Sequence, residues 1–378
     1  MVLAYFIYIG LLFLMVSLAY FDINLNGNVV PYKKIEIYNR PFLLLSILIY
    51  TIIIGCRYDV GIDWLGYKTT LEELIRTGAP DRDIEYGYFL IMKIVDILRL
   101  HYVFLFIFIA FLQIGFIYLR AKDFNKVFPF LLIFFFTMGN FIYCLNIMRQ
   151  MIAFSIIFYG TKFIVNKNIK AWLIICILAI LFHKTAILCL PFYFFNKNFF
   201  KNRLILVLVL VSIYLLFKYF IAEKTDVLLG ISNILFNRET SIESLYSQNR
   251  EGMIHDGSGL FDLAEVFFYS IMLYHYHESG KCYKKKGFYL FFNLTSIGII
   301  LFPLVSFNIL LDRIIYYFGA FKFVTFGFYA HYFIFVRKNI YLNIIGIFII
   351  IAYFLTFLMA IYNCSNQCSP FQFIGSDR

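Results

Sequence analysis

Long apolar runs separated by short polar segments fill most of the chain. A helix needs about 20 residues to cross the hydrocarbon core of a bilayer, and most of the runs approach or exceed that length. The pattern predicts an all-α, polytopic transmembrane helical bundle of about 12 spans, which forms one integral membrane domain over residues 1–378. The runs cover approximately residues 2–21, 41–56, 101–119, 127–143, 145–161, 171–182, 185–195, 204–222, 260–277, 288–305, 314–336 and 340–361.

Composition agrees with a membrane protein. The chain is 62% hydrophobic and 15% charged, with a mean hydropathy of +0.81, which a soluble domain of this length does not need. Its net charge of +11 comes from cations in short loops between apolar runs. That distribution is typical of membrane topology and not of a nucleic-acid-binding stripe, so no nucleic-acid partner is predicted. The first run lacks a charged n-region, which predicts a retained span.

Charge also predicts the sides of the membrane. Six segments together carry 18 lysines and arginines against four acids: 22–40, 120–126, 162–170, 196–203, 278–287 and 337–338. The positive-inside rule makes these segments cytoplasmic, which puts both termini outside. The alternate loops include two long ones of mixed charge, and these predict an external re-entrant or interfacial segment around 57–100 and a larger external loop around 223–259.

Residues 171–195 are tight for two full spans of about 20 residues each. Three arrangements are open: two half-helices that meet at His183-Lys184, a single span, or a hairpin of two passes. The charge pattern favours the hairpin, because a single span would put the cations around Lys197 outside.

The first polar cluster follows the second apolar run. Arg57, Asp59 and Asp63 lie close together there, and Gly61 permits a tight turn that lets their side chains converge. Glu85 comes later, in Glu85-Tyr-Gly-Tyr88, ahead of an amphipathic stretch that fits an interfacial or re-entrant helix. The alternative interpretation is a solvated, salt-bridged loop.

A second cluster begins the fifth apolar run. Asn146, Arg149 and Gln150 are spaced i, i+3 and i+4, so they share one face if the segment is helical. An arginine within an apolar run costs about 2.5–3.5 kcal/mol and normally faces a partner or a watery cavity. Its guanidinium suits a carboxylate or a phosphate. The alternative is a buried structural pair, for instance with Asp59 or Asp63.

Three further features carry polar chemistry. His183, next to Lys184, is a candidate general base or hydrogen-bond donor to a phosphate, or else part of a loop tip. Arg313 begins the eleventh run beside Asp312, where a local ion pair is the alternative. Cys364 and Cys368 lie in a polar tail, and both a disulfide and free thiols are open there.

No metal or nucleotide motif is evident in the sequence. Clustered His and Cys ligands, a Walker loop, G-x-S-x-G and H-E-x-x-H are all missing. The sequence therefore predicts neither a metal site nor a cofactor.

The order of the clusters resembles the EpsG family, which comprises Wzy-like membrane proteins of bacterial exopolysaccharide, capsule and O-antigen assembly. The motifs cover roughly residues 40–200, and hydropathy alone supports the remainder. Lys184 departs from the small residue that usually follows the histidine in this family. The motifs are, in order, Arg57…Gly61-x-Asp63…Tyr67, Glu85-Tyr-Gly-Tyr88, Asn146-x-x-Arg149-Gln150 and Phe182-His183-Lys184.

The resemblance implies a polysaccharide polymerase at the outer face of the bacterial cytoplasmic membrane. Such an enzyme joins undecaprenyl-pyrophosphate-linked oligosaccharide repeat units, with the lipid pyrophosphate as leaving group. The partners that it implies are the lipid-linked glycan and membrane lipid, with a chain-length regulator left open. It implies no cofactor.

Fixed cations suit a departing pyrophosphate, and the expected candidates are Arg149 and Arg313, then Arg57. The attacking hydroxyl needs a proton acceptor, for which Asp63, Glu85 and His183 are the candidates. The remaining expected substrate-binding residues are Asp59, Asn146, Gln150 and Lys184.

Two other functions compete with polymerization. A lipid-linked oligosaccharide flippase or exporter also has about twelve spans, but it places charges at the midplane and often contains repeated halves. Here the charged clusters lie on one predicted face. A membrane O-acyltransferase, which uses a buried histidine, ranks third.

Overall fold

The computed structural model describes residues 1–26, 39–80, 84–199, 212, 260–305 and 309–375. Helices form the named elements in these ranges, and an isolated β-bridge joins Arg57 to Phe373. The predicted all-α class is therefore confirmed for the described part of the chain. In chain order the α-helices are α1 Val2–Asn26, α2 Pro41–Gly55, α3 Trp64–Thr77, α4 Tyr86–Ile97, α5 Val103–Ala121, α6 Phe128–Thr137, α7 Asn140–Leu145, α8 Met148–Val165, α9 Ile169–Ile180, α10 Leu260–Tyr274, α11 Tyr276–Tyr283, α12 Phe288–Val305, α13 Ile309–Gly319, α14 Lys322–His331 and α15 Ile340–Tyr362.

Four helical stretches within the described residues are long and apolar enough to cross a membrane: Val2–Leu25, Val103–Thr137, Ile315–Val336 and Ile340–Tyr362. Shorter apolar helices cover Pro41–Gly55, Ile169–Ile180, Lys184–Phe195, Ala264–Tyr274 and Phe288–Leu301. The membrane-helix character is confirmed, and the count of twelve spans stays a prediction. The predicted span at 204–222 and the predicted loop at 223–259 lie outside the described residues, apart from residue 212.

The chain forms two compact units. The first comprises Met1–Phe194, Lys285–Gly287 and Lys322–Arg378, and the second comprises Phe195–Lys284 and Phe288–Phe321. In the first unit α5 packs against α2 and α8, while α6 packs against α1, α14 and α15. In the second unit α12 packs against α13.

The apolar stretch 103–137 contains two helices that run in opposite directions. A short 3₁₀ segment, Lys122–Val127, follows α5, and Asn125 within it has a φ of 53°. The side chain of Gln113 in α5 then donates to the carbonyl oxygens of Cys144 (3.3 Å) and Met148 (3.2 Å). The chain after α6 therefore returns alongside α5. This agrees with the prediction of two separate runs at 101–119 and 127–143.

Residues 169–195 fold back on themselves. The 3₁₀ segment Lys184–Phe195 follows α9, and the Trp172 indole N–H donates to the carbonyl oxygen of Leu190 over 3.2 Å. Such a contact between the two arms requires a reversal near His183, which agrees with the hairpin arrangement. At 1.5 Å per residue α9 is about 18 Å long, less than the roughly 30 Å of a bilayer core. Two full membrane passes here stay a prediction.

The first unit has two polar ends. At one end the Tyr5 hydroxyl donates to the carbonyl oxygen of Leu358 (3.0 Å), which places the start of α1 beside the end of α15. At the other end Arg40 pairs with Asp22 (3.6 Å), and Arg120 donates to the Thr161 hydroxyl (2.9 Å). Asp22, Arg40 and Arg120 therefore lie away from the start of α1 and the end of α15, the two helix ends that flank the predicted external side.

We expect single cysteines at the two ends to react from opposite sides of the membrane. Ile62 is 56% exposed and lies between Arg57 and α3, whereas Lys126 is exposed in the 3₁₀ segment that follows α5. In a cysteine-free background, Ile62→Cys should react with a membrane-impermeant maleimide in intact cells. Lys126→Cys should react only after the membrane is permeabilised. Labelling of both from the same side would contradict the proposed topology.

Candidate active site

Arg57 is a buried structural residue. Arg57 is 1% exposed. Its guanidinium donates to three backbone carbonyl oxygens, those of Ile54 (2.6 Å), Val60 (3.2 Å) and Leu145 (3.2 Å). Its fourth contact is the Met148 sulfur at 3.3 Å. With its donors occupied by the protein, Arg57 stabilises the loop instead of presenting a charge to substrate. The expectation that it binds substrate has no support in this geometry.

The loop after Arg57 packs closely against the turn before α8. Gly61 has a φ of 102°, and a Cβ there would lie 2.5 Å from the carbonyl oxygen of Leu145. The next backbone amide, that of Ile62, donates to Asn146 Oδ1 over 2.6 Å. Glycine is required at position 61 both for the left-handed backbone and for this close approach.

Asn146 does not share a helical face with Arg149 and Gln150, because α8 begins only at Met148. Asn146 instead follows the last residue of α7 as its C-cap, and its Nδ2 donates back to the carbonyl oxygen of Ile142 (3.2 Å). It is 4% exposed, and Gln150 is 2% exposed. The sequence spacing was misleading because a turn interrupts the apolar run at 146–147. Asn146 therefore positions the loop, and Arg149 lies in the first turn of α8.

Glu85 brings Arg149 and His183 together. One carboxylate oxygen, Oε2, forms an ion pair with Arg149 Nη1, and the other, Oε1, lies 3.0 Å from His183 Nδ1. The carboxylate is 9% exposed, whereas the side chains of Arg149 and His183 are 31% and 20% exposed. Arg149 is thus in an ion pair, as the structural alternative expects, but its partner is Glu85 and not Asp59 or Asp63. Three motifs that are distant in sequence thus meet at one carboxylate.

Gly87 makes this meeting sterically feasible. Its backbone amide donates to the carbonyl oxygen of Leu181 over 2.7 Å, which joins the first turn of α4 to the hairpin turn. A Cβ at position 87 would lie 2.9 Å from the same oxygen and 3.2 Å from a ring carbon of Phe182. Because Glu85 and His183 each lie two residues from this contact, a larger side chain would separate them.

Two tyrosines surround the Arg149 guanidinium. Its Cζ lies 5.9 Å from the centre of the Tyr67 ring and 5.8 Å from that of Tyr88, and the two rings meet edge to face at 5.5 Å. The backbone amide of Arg149 also contacts the Tyr67 hydroxyl at 3.5 Å. Cation–π contacts of this kind hold a guanidinium in a defined direction while leaving its edge accessible.

Electrostatics make Glu85 a permanent anion at neutral pH. Burial alone would raise its pKa, but the hydrogen bond from His183 and the positive charge of Arg149 outweigh that effect and lower the pKa of Glu85 to about 2. A carboxylate with so low a pKa is a weak proton acceptor. His183 is therefore a better candidate proton acceptor than Glu85. The role of Glu85 is to orient Arg149 and His183.

The other expected site residues are dispersed. Asp63 precedes α3 and is half-buried, Asp59 is exposed with a φ of 49°, and Lys184 is exposed at the start of the 3₁₀ segment. Arg313 lies in α13 of the second unit. The described residues contain no group of three or more His, Cys, Asp or Glu side chains suited to a metal ion. Cys364 and Cys368 are free thiols.

Tyr67, Tyr88 and Gly87 contribute to the site, although sequence reasoning assigned them no role. All three belong to the quoted motifs, so the signal was present as Glu85-Tyr-Gly-Tyr88 and the downstream Tyr67. What the motifs do not reveal is that a guanidinium lies against both rings.

Comparison with known families agrees with the motif order. The model of the EpsG family matches residues 41–373, nearly the whole chain. The chain belongs to the EpsG family. No curated protein and no solved structure gives a significant match. Together with the apolar helices, the family indicates a membrane protein of polysaccharide biosynthesis.

Acid should weaken the Glu85 contacts. The pKa of Glu85 is about 2 in the folded protein, against about 4.3 for an unfolded glutamate. The stabilisation is therefore complete above about pH 4.3 and is lost as the pH falls through about 2. We expect the melting temperature of detergent-solubilised protein to fall more steeply over this range than that of Glu85→Gln. Parallel curves would show that the carboxylate pairing contributes nothing.

Gly87→Ala should reduce polysaccharide production without preventing membrane insertion. The added methyl group would move Glu85 away from His183, and a misplacement of about 1 Å can cost about 100-fold in rate. Gly66→Ala is the matched control, because a Cβ at that α3 position meets nothing within 4 Å. Equal production by both variants at equal protein levels would exclude the positioning role of Gly87.

Proposed function

We propose that this EpsG-family protein polymerizes undecaprenyl-pyrophosphate-linked oligosaccharide repeat units at the outer face of the cytoplasmic membrane. The observation that supports the proposal most directly is the set Glu85, Arg149 and His183. It combines a partly exposed guanidinium, an imidazole and an orienting carboxylate at one end of the first unit. A glycosyl transfer from a lipid pyrophosphate needs an anion-binding cation and a proton acceptor.

Arg149 is suited to the leaving group. The departing pyrophosphate carries several negative charges, and charge-assisted hydrogen bonds from a guanidinium to phosphate are stronger than neutral ones. The side chain is 31% exposed, and its direction is set by Tyr67 and Tyr88. Glu85 occupies the guanidinium in the structure, so an incoming pyrophosphate would compete with this carboxylate for Arg149.

His183 is suited to the attacking hydroxyl. Its Nδ1 faces Glu85, which leaves Nε2 as the ring nitrogen for substrate. An acceptor-sugar hydroxyl would give its proton to Nε2 while its oxygen forms the bond to the anomeric carbon of the donor. The bond from that carbon to the phosphate oxygen breaks, and the lipid pyrophosphate leaves with the electron pair. Glu85 would stabilise the imidazolium that forms, as the carboxylate does in a catalytic triad.

The placement of the polar residues favours chemistry over transport. In the first unit Glu85 and His183 lie where α4 begins and where the 169–195 hairpin turns, and Arg149 lies in the first turn of α8. The charge pattern predicts all three on the outer face, whereas an exporter places its functional charges near the bilayer midplane. The competing function is export of the lipid-linked oligosaccharide, and the glycan profile of an Arg149 variant distinguishes it from polymerization.

Arg149→Ala should abolish long glycan chains while single repeat units still reach the outer leaflet. Loss of a cation that acts on the leaving group stops polymerization but leaves the preceding steps intact. Arg76→Ala is the matched control, since Arg76 is an exposed arginine at the end of α3. The measurement is the lipid-linked glycan profile of each strain, with single units located by their accessibility in intact cells.

Accumulation of single units on the cytoplasmic leaflet in the Arg149→Ala strain would favour export over polymerization. Normal chain lengths at normal protein levels would remove Arg149 from the reaction altogether.

A further inference from the structure

We propose that residues 364–374, here called the C-terminal strap, position the active site by holding the loop 56–62 in place. The structural part of this proposal is independent of the function proposed above. Only its activity readout rests on that function.

The strap pairs with the loop through the backbone. The amide of Tyr58 donates to the carbonyl oxygen of Gln372 (2.9 Å), and the amide of Ile374 donates to that of Cys56 (3.0 Å). These two bonds flank the β-bridge between Arg57 and Phe373. The strap thus adds an extended segment to the edge of the loop, as peptides do in strand addition.

A second point of attachment lies further along the loop. The amide of Gly61 donates to the carbonyl oxygen of Gln367 over 3.0 Å. The loop is therefore held at both sides of Asp59, and neither attachment involves a side chain of the loop. Without the strap, these amides would lose their protein partners.

Buried side chains anchor the strap to the first unit. Phe371 is 2% exposed and meets the Tyr8 ring edge to face at 5.5 Å, while Cys368 is fully buried. The Tyr8 hydroxyl donates to the carbonyl oxygen of Cys368 over 2.7 Å. Burial of this large apolar side chain makes Phe371 a strong local determinant of strap docking.

The loop in turn supports the turn that precedes Arg149. Arg57 donates to the carbonyl oxygen of Leu145 and contacts Met148, and the Ile62 amide donates to Asn146. Arg149 is the next residue after Met148. A displacement of the loop therefore shifts the turn that precedes Arg149 and, through the backbone, the guanidinium, so the strap acts as a positioning element.

The first test compares two truncations. A chain that stops after Tyr362 lacks the strap, whereas one that stops after Gly375 keeps every contact described above. Val60 is fully buried in the loop, so Val60→Cys in a cysteine-free background reports on loop order. We expect rapid maleimide labelling of this cysteine without the strap and slow labelling with it. Long glycan chains should decrease on the order of 100-fold in the shorter chain only.

Rescue in trans distinguishes positioning from general stability. A synthetic peptide of residues 363–375, added to membranes with the shorter chain, should slow the labelling of Val60→Cys and restore chain extension. The same peptide with Phe371→Ala is the control and should do neither. Phe371→Ala in the full chain gives a second measurement if the shorter chain fails to accumulate, and it should raise the labelling rate.

Slow labelling in the shorter chain, or in the full chain with Phe371→Ala, would overturn the proposal. Fast labelling with unchanged glycan chain length would also overturn it, because the loop would then be dispensable for the site. If labelling responds to the strap and peptide but no variant of the protein makes polymer, the function proposed above fails and the strap remains supported.

Discussion

The guanidinium of Arg57 donates to carbonyl oxygens of Ile54, Val60 and Leu145, so one buried charge joins the end of α2, the following loop and the turn before α8. Removing an arginine from water is costly, and about 2.5–3.5 kcal/mol is the penalty even in a membrane helix. Hydrogen bonds to charged groups contribute about 1.5–3 kcal/mol each, so three of them offset that penalty. Each of the three carbonyl oxygens therefore contributes to stabilising the buried charge. Arg57 therefore couples the folding of segments that are far apart in sequence.

The two arginines of the quoted motifs are used in opposite ways. Arg57 is 1% exposed and its donors face backbone carbonyls, whereas the Arg149 side chain is 31% exposed and faces a carboxylate. The first arrangement fixes the backbone, and the second leaves a charge that a ligand can reach. The carboxylate that shares Arg149 also contacts His183, so the two chemical groups of the site are oriented by one anion. This division separates the residues that build the site from those that would act in it.

Much of the fold follows from the periodic placement of apolar residues, and the helical class needs little more than the cost of exposing peptide groups to lipid. Arg149 and His183 were also visible as candidates, because a charged or polar residue within an apolar run is costly and needs a partner. Their pairing was not predictable from spacing. Glu85 could have faced any of several cations, and its choice of Arg149 and His183 depends on Gly87 packing against Leu181. The predicted run 145–161 included Asn146 because its neighbours are apolar. The structure shows that a turn at 146–147 separates α7 from α8 there.

The strap has a consequence for how the protein is made. The loop that it completes follows α2, whereas the strap follows α15, so translation of the membrane helices in between separates the two. Until α15 has been inserted, the amides of Tyr58 and Gly61 have no strap to bind. A chain still being synthesised thus already contains Arg149, His183 and Glu85, but it lacks the strap that pairs with the loop 56–62. Under the role proposed for the strap, the site becomes ordered only after membrane insertion of α15, which confines the ordered state to chains that have passed that stage of assembly.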